Sequence, residues 1–461
     1  MPELVFDAPR RSIKERMDAG KDLRKRFPRA AQAEYVLPTS RIDPVDILLS
    51  QARTRVQKLV PIRHARMLTS PFAFLRGGAA IMAQDLRTSL NTGIKVQACG
   101  DMHVANFGVF ASAERNLVFG INDFDETVPG PWEWDLKRLV TSIVVAGRFL
   151  GADKAACAEA VQGAVRSYRE HMRDFAEMGY LQLWYETIDD RKLLDALPPR
   201  VRRSAQDRVL ARAKTRTHMQ VLANQTELLD DKRRIIEDKP LIVRETHDEH
   251  GNDIKSAVAR FFEAYVGSLN SDRRELLSKY RIVDVARKVV GVGSVGTRCW
   301  VVLMEGADEE DPLFLQAKEA QVSALAPYLQ TPDYDNQGYR VVAGQRLIQG
   351  APDILLGWGN INGVDFYVRQ LRDMKGSVEF DPNDWDGDRL DAYCMLCGWA
   401  LALAHAKSGD AAMIAGYVGK SETLDEAMAT FATLAADQAE KDYAAMKAAA
   451  TKGRIKVAQT F

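Results

Sequence analysis

Cys99-Gly100-Asp101-Met102-His103-Val104-Ala105-Asn106-Phe107-Gly108 is the stretch on which the reading of this chain turns. The alternating run before it, Ile94 to Cys99, reads as a strand that stops at Gly100. An acid, Asp101, follows at once, and Asn106 sits five positions later. A second strand-like run, Asn116 to Ile121, delivers Asn122-Asp123-Phe124-Asp125-Glu126. Asp and Asn at strand ends often do no more than cap turns. Here they recur at two neighbouring strand ends and can converge on one point. Mg²⁺ needs a few hard oxygen ligands besides phosphate oxygens, which makes Asn106, Asp123 and Asp125 candidate metal ligands. Asp101 is left to orient a hydroxyl and accept its proton, the division of labour in kinase-type phosphoryl transfer.

A second signal lies far downstream, at Val290-Gly291-Val292-Gly293-Ser294-Val295-Gly296-Thr297-Arg298. A dinucleotide-binding unit would open a helix here. The residues that follow, TRCWVVLME, are strand formers instead. A strand–glycine loop–strand matches the kinase hairpin that covers phosphates, where missing side chains let backbone amides approach. Gly291, Gly293, Ser294 and Gly296 are therefore candidate nucleotide contacts. The next strand, LFLQAKEA, places Lys318 where kinases carry their phosphate-pairing lysine. Glu319 points to the opposite face of an extended strand, and AQVSALAPYL after it holds no other glutamate. That leaves Asp353 or Asp373 as the lysine's acidic partner.

The remaining chain sets these signals in context. Its 461 residues predict two or three domains and a sizeable core. Hydrophobic residues at 46% and charged residues at 27% exclude a disordered, collagenous or disulfide-scaffold chain. Lys+Arg and Asp+Glu are 63 each, so no bulk charge favours nucleic acid. No apolar run approaches the ~18 residues of a membrane span. The charged N-terminus has no apolar signal core, and five sparse cysteines suit a reducing cytosol. A cytoplasmic protein with no membrane or nucleic-acid partner is expected. Residues 9–60 read as amphipathic helices, one opening at Asp43-Pro44; 153–240 as mostly helical, with a solvated basic face; 281–378 as β-rich, including GYRVVAGQRLIQ; and the tail as helical.

CGDMHVANFG, INDFDETVPGPWEWDLKRL, SPFAFLRG, VRQLRDMKGS and LALAHAKSGDAAMIAGYVG together resemble the bacterial family called domain of unknown function 2252, over roughly residues 55–450. Within it the first two motifs look like the catalytic and metal loops of aminoglycoside phosphotransferases and choline kinases. The resemblance implies an α+β, protein kinase-like two-lobe fold and a Mg-ATP-dependent phosphotransferase. It implies Asp101 as catalytic base, Asn106 and Asp123 as metal ligands, and Asp135 as the acid that braces the catalytic loop. Cys99 stands where those kinases commonly have histidine, and His103 is the nearest substitute. Because the glycine loop and Lys318 follow the catalytic loop, the chain reads as circularly permuted. The expected parts are an N-terminal helical segment (1–93), a catalytic and helical part (94–275), a small β-rich nucleotide-binding lobe (276–380) and C-terminal helices (381–461).

Two other functions are compatible with these residues: a nucleotide-binding pseudokinase or AMP-transferase on the same fold, and a metallophosphoesterase built on Asp101-Met102-His103. The acceptor and the oligomeric state have no signature. Elsewhere His405 reads as a satisfied core histidine, Asp410 as a helix N-cap, and Cys394 and Cys397 as one buried helix face. Trp132 and Trp134 read as wedges at the metal-loop turn. Arg76 is the candidate for a phosphate or acidic contact, while Arg369 and Arg372 line a hinge or solvate an edge.

Overall fold

Runs of β-branched and aromatic residues between Arg281 and Gln370, with the short strand Ile242–Val243, build a six-stranded antiparallel sheet. Its order is Gly357–Ile361, Val364–Gln370, Pro312–Glu319, Cys299–Glu305, Arg281–Lys288 and Ile242–Val243. Leu313, Leu315 and Ala317 face a helix, Ile254–Gly267, packing with Phe261 and Tyr265. Phe314 lies on the other face with Val301 and Leu303. The same alternation turns Lys318 to the Phe314 side and Glu319 away from it. The computed structural model describes residues 6–459, apart from positions 8, 216–217, 230–231, 248–250, 252 and 372–375.

The rest is a helical body with small antiparallel sheets, so the fold class is α+β. Its central helix, Trp132–Phe149, is buried on nearly every side although it carries Glu133, Asp135, Lys137 and Arg138. Trp132 opens it, fully buried and stacked on Tyr168 with ring centroids 5.8 Å apart. Helices Lys154–Glu177 and Gly387–Ser408 pack against each other, each N-capped by an aspartate, Asp153 and Asp386. Cys394 and Cys397 are free and buried inside the second of them. Asp410 caps helix Ala411–Val418, and Asp43 caps Pro44–Ala52. Among the described residues no helix is long and apolar enough to cross a membrane.

Two readings change. GYRVVAGQRLIQ is not a strand: helix Gln337–Ile348 spans it, capped by the Asn336 side chain accepting from the Tyr339 amide at 2.9 Å. Val341, Val342, Gln345 and Ile348 are its buried stripe at helical spacing, so packing overrides the strand preference of the valine pair. Within 153–240, strands Thr226–Leu229 and Lys232–Ile235 form a hairpin where helix was expected. Phe107–Ala111 is a strand paired with Leu117–Ile121.

Candidate active site

Two short strand pairs carry the acidic motifs to one place. Lys95–Ala98 pairs with Val128–Pro131, and Phe107–Ala111 with Leu117–Ile121. The turn after the first strand needs Gly100: its φ is +85°, and a Cβ there would lie 2.4 Å from the Glu126 carbonyl oxygen. Asp135, 1% exposed, holds this turn from the central helix. Its carboxylate accepts from the Cys99 amide at 2.6 Å and the Gly100 amide at 2.9 Å. His405 Nε2 lies 3.4 Å from the same carboxylate, and His405 Nδ1 lies 2.9 Å from the Tyr168 hydroxyl. His405 is thus a satisfied core residue.

Asn106 staples the two acidic loops together. Its Nδ2 donates to the carbonyls of Asp101 at 3.1 Å and Asp123 at 3.0 Å, while its Oδ1 accepts from the Asp123 amide at 2.8 Å. The Cys99 thiol donates to the Asp123 carbonyl at 3.1 Å. Burial pushes that thiol well up, so it is not a nucleophile.

Asp101 is fixed by Arg138, a residue that sequence reasoning missed. Arg138 is 2% exposed; its Nε donates to Asp101 Oδ1 at 2.7 Å, Nη2 also contacts that oxygen, and Nη2 donates to the Leu75 carbonyl at 2.8 Å. The available signal was its position three residues after Asp135, on the same helix face. Asp101 Oδ2 is 3.8 Å from His103 Nε2.

Lys318 reaches this point from the sheet. Its ammonium lies 3.6 Å from Asp123 Oδ2 and in contact with Asp125 Oδ2. Burial alone would push this lysine down, but Asp123 and then Asp125 outweigh it and hold it well above the ordinary range. Asp125 also accepts from the Tyr367 hydroxyl at 2.8 Å and the Ser294 hydroxyl at 3.2 Å. Burial and the neighbouring Asp123 push its carboxyl up, against the pull of Lys318. The lysine's partner is therefore Asp125. Asp353 instead accepts from the Gln370 amide and side chain, and Asp373 lies outside the described residues. Glu319 binds the backbone amide of Arg298 at 2.8 Å and its guanidinium at 3.1 Å. Arg369 is half-buried over the Tyr367 ring and donates to the Asn122 carbonyl at 3.0 Å; Arg372 is outside the described residues.

A cavity of about 250 Å³ brings Asp101, Asn106, Asp123, Asp125, Gly291, Gly293 and Ser294 together. Asp135, Gly296 and Lys318 lie one layer behind its wall. A neighbouring cavity of about 690 Å³, lined by Lys288, Gln316 and Gln370, shares Asn122, Gly291 and Arg369 with it. Among the described residues no group of three or more His, Cys, Asp or Glu side chains could hold a metal ion. The set Asn106, Asp123 and Asp125 offers hard oxygens alone, which fits an ion that draws its other ligands from phosphate and water.

His103 gives this site a pH signature. It is 8% exposed, and its Nδ1 has no partner. Burial, opposed by Asp101, pushes its imidazole down to about 4. An unfolded histidine titrates near ~6.5, so the unfolded chain takes up the proton first as pH falls. The contribution is full above about pH 6.5 and declines toward about pH 4, by up to ~3 kcal/mol. Urea midpoints at pH 7 and 4.5 should therefore fall less in His103→Gln than in the parent; equal slopes would refute this.

Framework and cleft make this a mixed α+β protein that gathers charged side chains between a sheet and a helical body. The chain belongs to the family described as an uncharacterized protein conserved in bacteria, DUF2252, whose model matches residues 55–449. No curated protein and no solved structure matches it.

Proposed function

We propose that the cleft is the site of a Mg-ATP-dependent phosphotransferase of the kinase-like type, on a circularly permuted chain. The observation that carries the reading is Lys318 beside Asp123 and Asp125, beneath the glycine loop, although the lysine and the acids are far apart in sequence. The order of parts supports it too. The glycine loop joins the first two long strands of the sheet, the lysine is on the third, and helix Gln337–Ile348 follows, as in kinases. Permutation then needs only that the original ends lay close together.

In this reading the larger cavity takes the nucleoside and the smaller one its phosphates. Asn106, Asp123 and Asp125 would hold Mg²⁺, which supplies charge neutralisation to the phosphates. Arg138 occupies one oxygen of Asp101, so the other faces the acceptor hydroxyl. The hydroxyl oxygen forms a bond to the γ-phosphorus, the bond to the leaving ADP oxygen breaks, and the hydroxyl proton passes to Asp101.

One feature favours a second reading, nucleotide binding without transfer or with AMP transfer. Helix Gln337–Ile348 carries no Asp or Glu, so the lysine's partner is Asp125 and not a helix glutamate. Mass spectrometry after incubation with ATP separates phosphate gain, AMP gain and neither. For the primary reading, Mg-ATP at a hundredfold excess over Kd should stabilise the protein by about 2.7 kcal/mol. Asp123→Asn should remove the magnesium-dependent part. A parent protein with no magnesium-dependent melting shift would end the reading.

A further inference from the structure

We infer that Arg55, Arg63 and Arg76 form a receptor for a phosphoryl oxyanion, the charged end of a polyphosphate or phosphate ester, built by the N-terminal helices. The inference rests on the phosphotransferase reading for which molecule carries the anion. All three side chains line the 250 Å³ cavity. Arg55 is 9% exposed and Arg63 1%. A buried charge is normally paired with an opposite charge or, like Arg340, saturated with carbonyl acceptors. Arg41 lies between Asp85 and Asp442, and Arg169 lies on Asp425. Among the described residues Arg55, Arg63 and Arg76 form no direct ion pair, although Asp101, Asp123, Asp125, Glu126 and Glu319 line the same cavity.

What they do touch leaves donors to spare. Arg55 Nη1 donates to the Val295 carbonyl at 2.6 Å. Arg63 Nη2 donates to Gln51 Oε1 and the Gly77 carbonyl, both at 3.0 Å. Among the described residues Arg76 has no hydrogen-bond acceptor, and it lies 5.9 Å from the Phe72 ring centroid. Arg55 Nε, Arg63 Nε and Nη1, and Arg76 Nε are buried N–H groups without an acceptor among the described residues. Burial pushes all three guanidinium groups down, against the weaker pull of Glu126 on Arg55 and Arg63 and of Asp101 and Asp123 on Arg76.

The same helices are laced to the glycine loop. The Val56 amide donates to the Gly296 carbonyl at 2.8 Å, and Arg66 Nη1 to the Gly291 carbonyl at 2.6 Å. Gly296 has φ +91°, and a Cβ there would stand 3.1 Å from Arg55 Cβ. Loop and arginines thus close on one volume. It is smaller than the ~300–1,000 Å³ of pockets for drug-sized ligands and suits a phosphate group better than a nucleoside. The planar guanidinium fork matches phosphate oxygens two at a time.

The test uses the full chain, inorganic tripolyphosphate and Mg-ATP as probes, and the variants Arg76→Gln and Arg76→Lys. The parent should bind tripolyphosphate. Arg76→Gln should weaken that binding about tenfold or more, and Arg76→Lys should fall between. Unliganded Arg76→Gln should melt at or above the parent temperature, because an uncompensated cation is gone; this separates a lost contact from a damaged fold. Equal weakening of Mg-ATP would show that the anion is the nucleotide's own tail. Retained Mg-ATP affinity with lost tripolyphosphate binding would assign it to the acceptor. A parent that ignores tripolyphosphate, or a glutamine variant that binds it unchanged, would overturn the inference even if Mg-ATP still binds. Tripolyphosphate binding without any ATP binding would keep the arginine site and remove the phosphotransferase reading.

Discussion

Replacing Lys318 by methionine should lower the unfolding free energy by about 3 kcal/mol, the lower end of the range for breaking a buried ion pair. The ammonium is 3% exposed and the Asp125 side chain 26%, so solvent screens the pair only in part. Without the lysine, Asp125 keeps the Tyr367 and Ser294 hydroxyls but faces Asp123 alone. It must then bear an unpaired charge or take up a proton. The loss should therefore shrink as pH falls toward the range where Asp125 protonates. The sign follows from linkage: a carboxyl whose folded pKa is raised favours the folded state at low pH and penalises it as pH rises. Lys318→Met/Asp125→Asn should recover part of the loss, because the amide still accepts from Tyr367 and no charge is stranded. Urea unfolding of the parent, both single variants and the double variant gives the coupling directly. A single Lys318 variant within 1 kcal/mol of the parent at pH 7 would refute the buried-pair account.

Asp101→Asn should slow phosphoryl transfer by about 10²–10⁴-fold, the usual worth of a general base, while Mg-ATP binding persists. The amide cannot accept the acceptor's proton, although its oxygen can still receive the Arg138 hydrogen bond at 2.7 Å. Geometry is thus largely kept and the proton site is lost. ATP turnover, followed by mass spectrometry, gives the rate; the Mg-ATP melting shift gives binding. Turnover equal to the parent's would remove Asp101 from the chemistry. Loss of turnover together with loss of Mg-ATP binding would assign Asp101 to ligand binding, against the role proposed for it.

Much of this framework could be read from local pattern. The strands around Gly291–Gly296 and Lys318 are runs of strand-forming residues bounded by turns, and the two acidic strand ends announce themselves through Gly100 and the turn at Asn122. The misread parts are those where packing outweighs local preference. Val341-Val342 suggests a strand, yet the Asn336 cap and the buried stripe through Ile348 make a helix. The identity of the lysine's partner was hidden for a different reason. Kinase order directs attention to the following helix, whereas Asp125 comes from a distant loop. Arg55 and Arg63 were also hidden, since a charged amphipathic run looks solvated until tertiary contacts bury it. Arg138 shows the converse, a charge inside a buried helix that only a shared face with Asp135 explains.

The contact between Lys318 and Asp125 joins sheet to helical body like a closed clasp. Any phosphate that seeks this lysine competes with the protein's own carboxylate for it. Nucleotide affinity should then report a difference, the new attraction less the cost of releasing the old one, and occupancy of the cleft should loosen the very junction that holds the two halves in register.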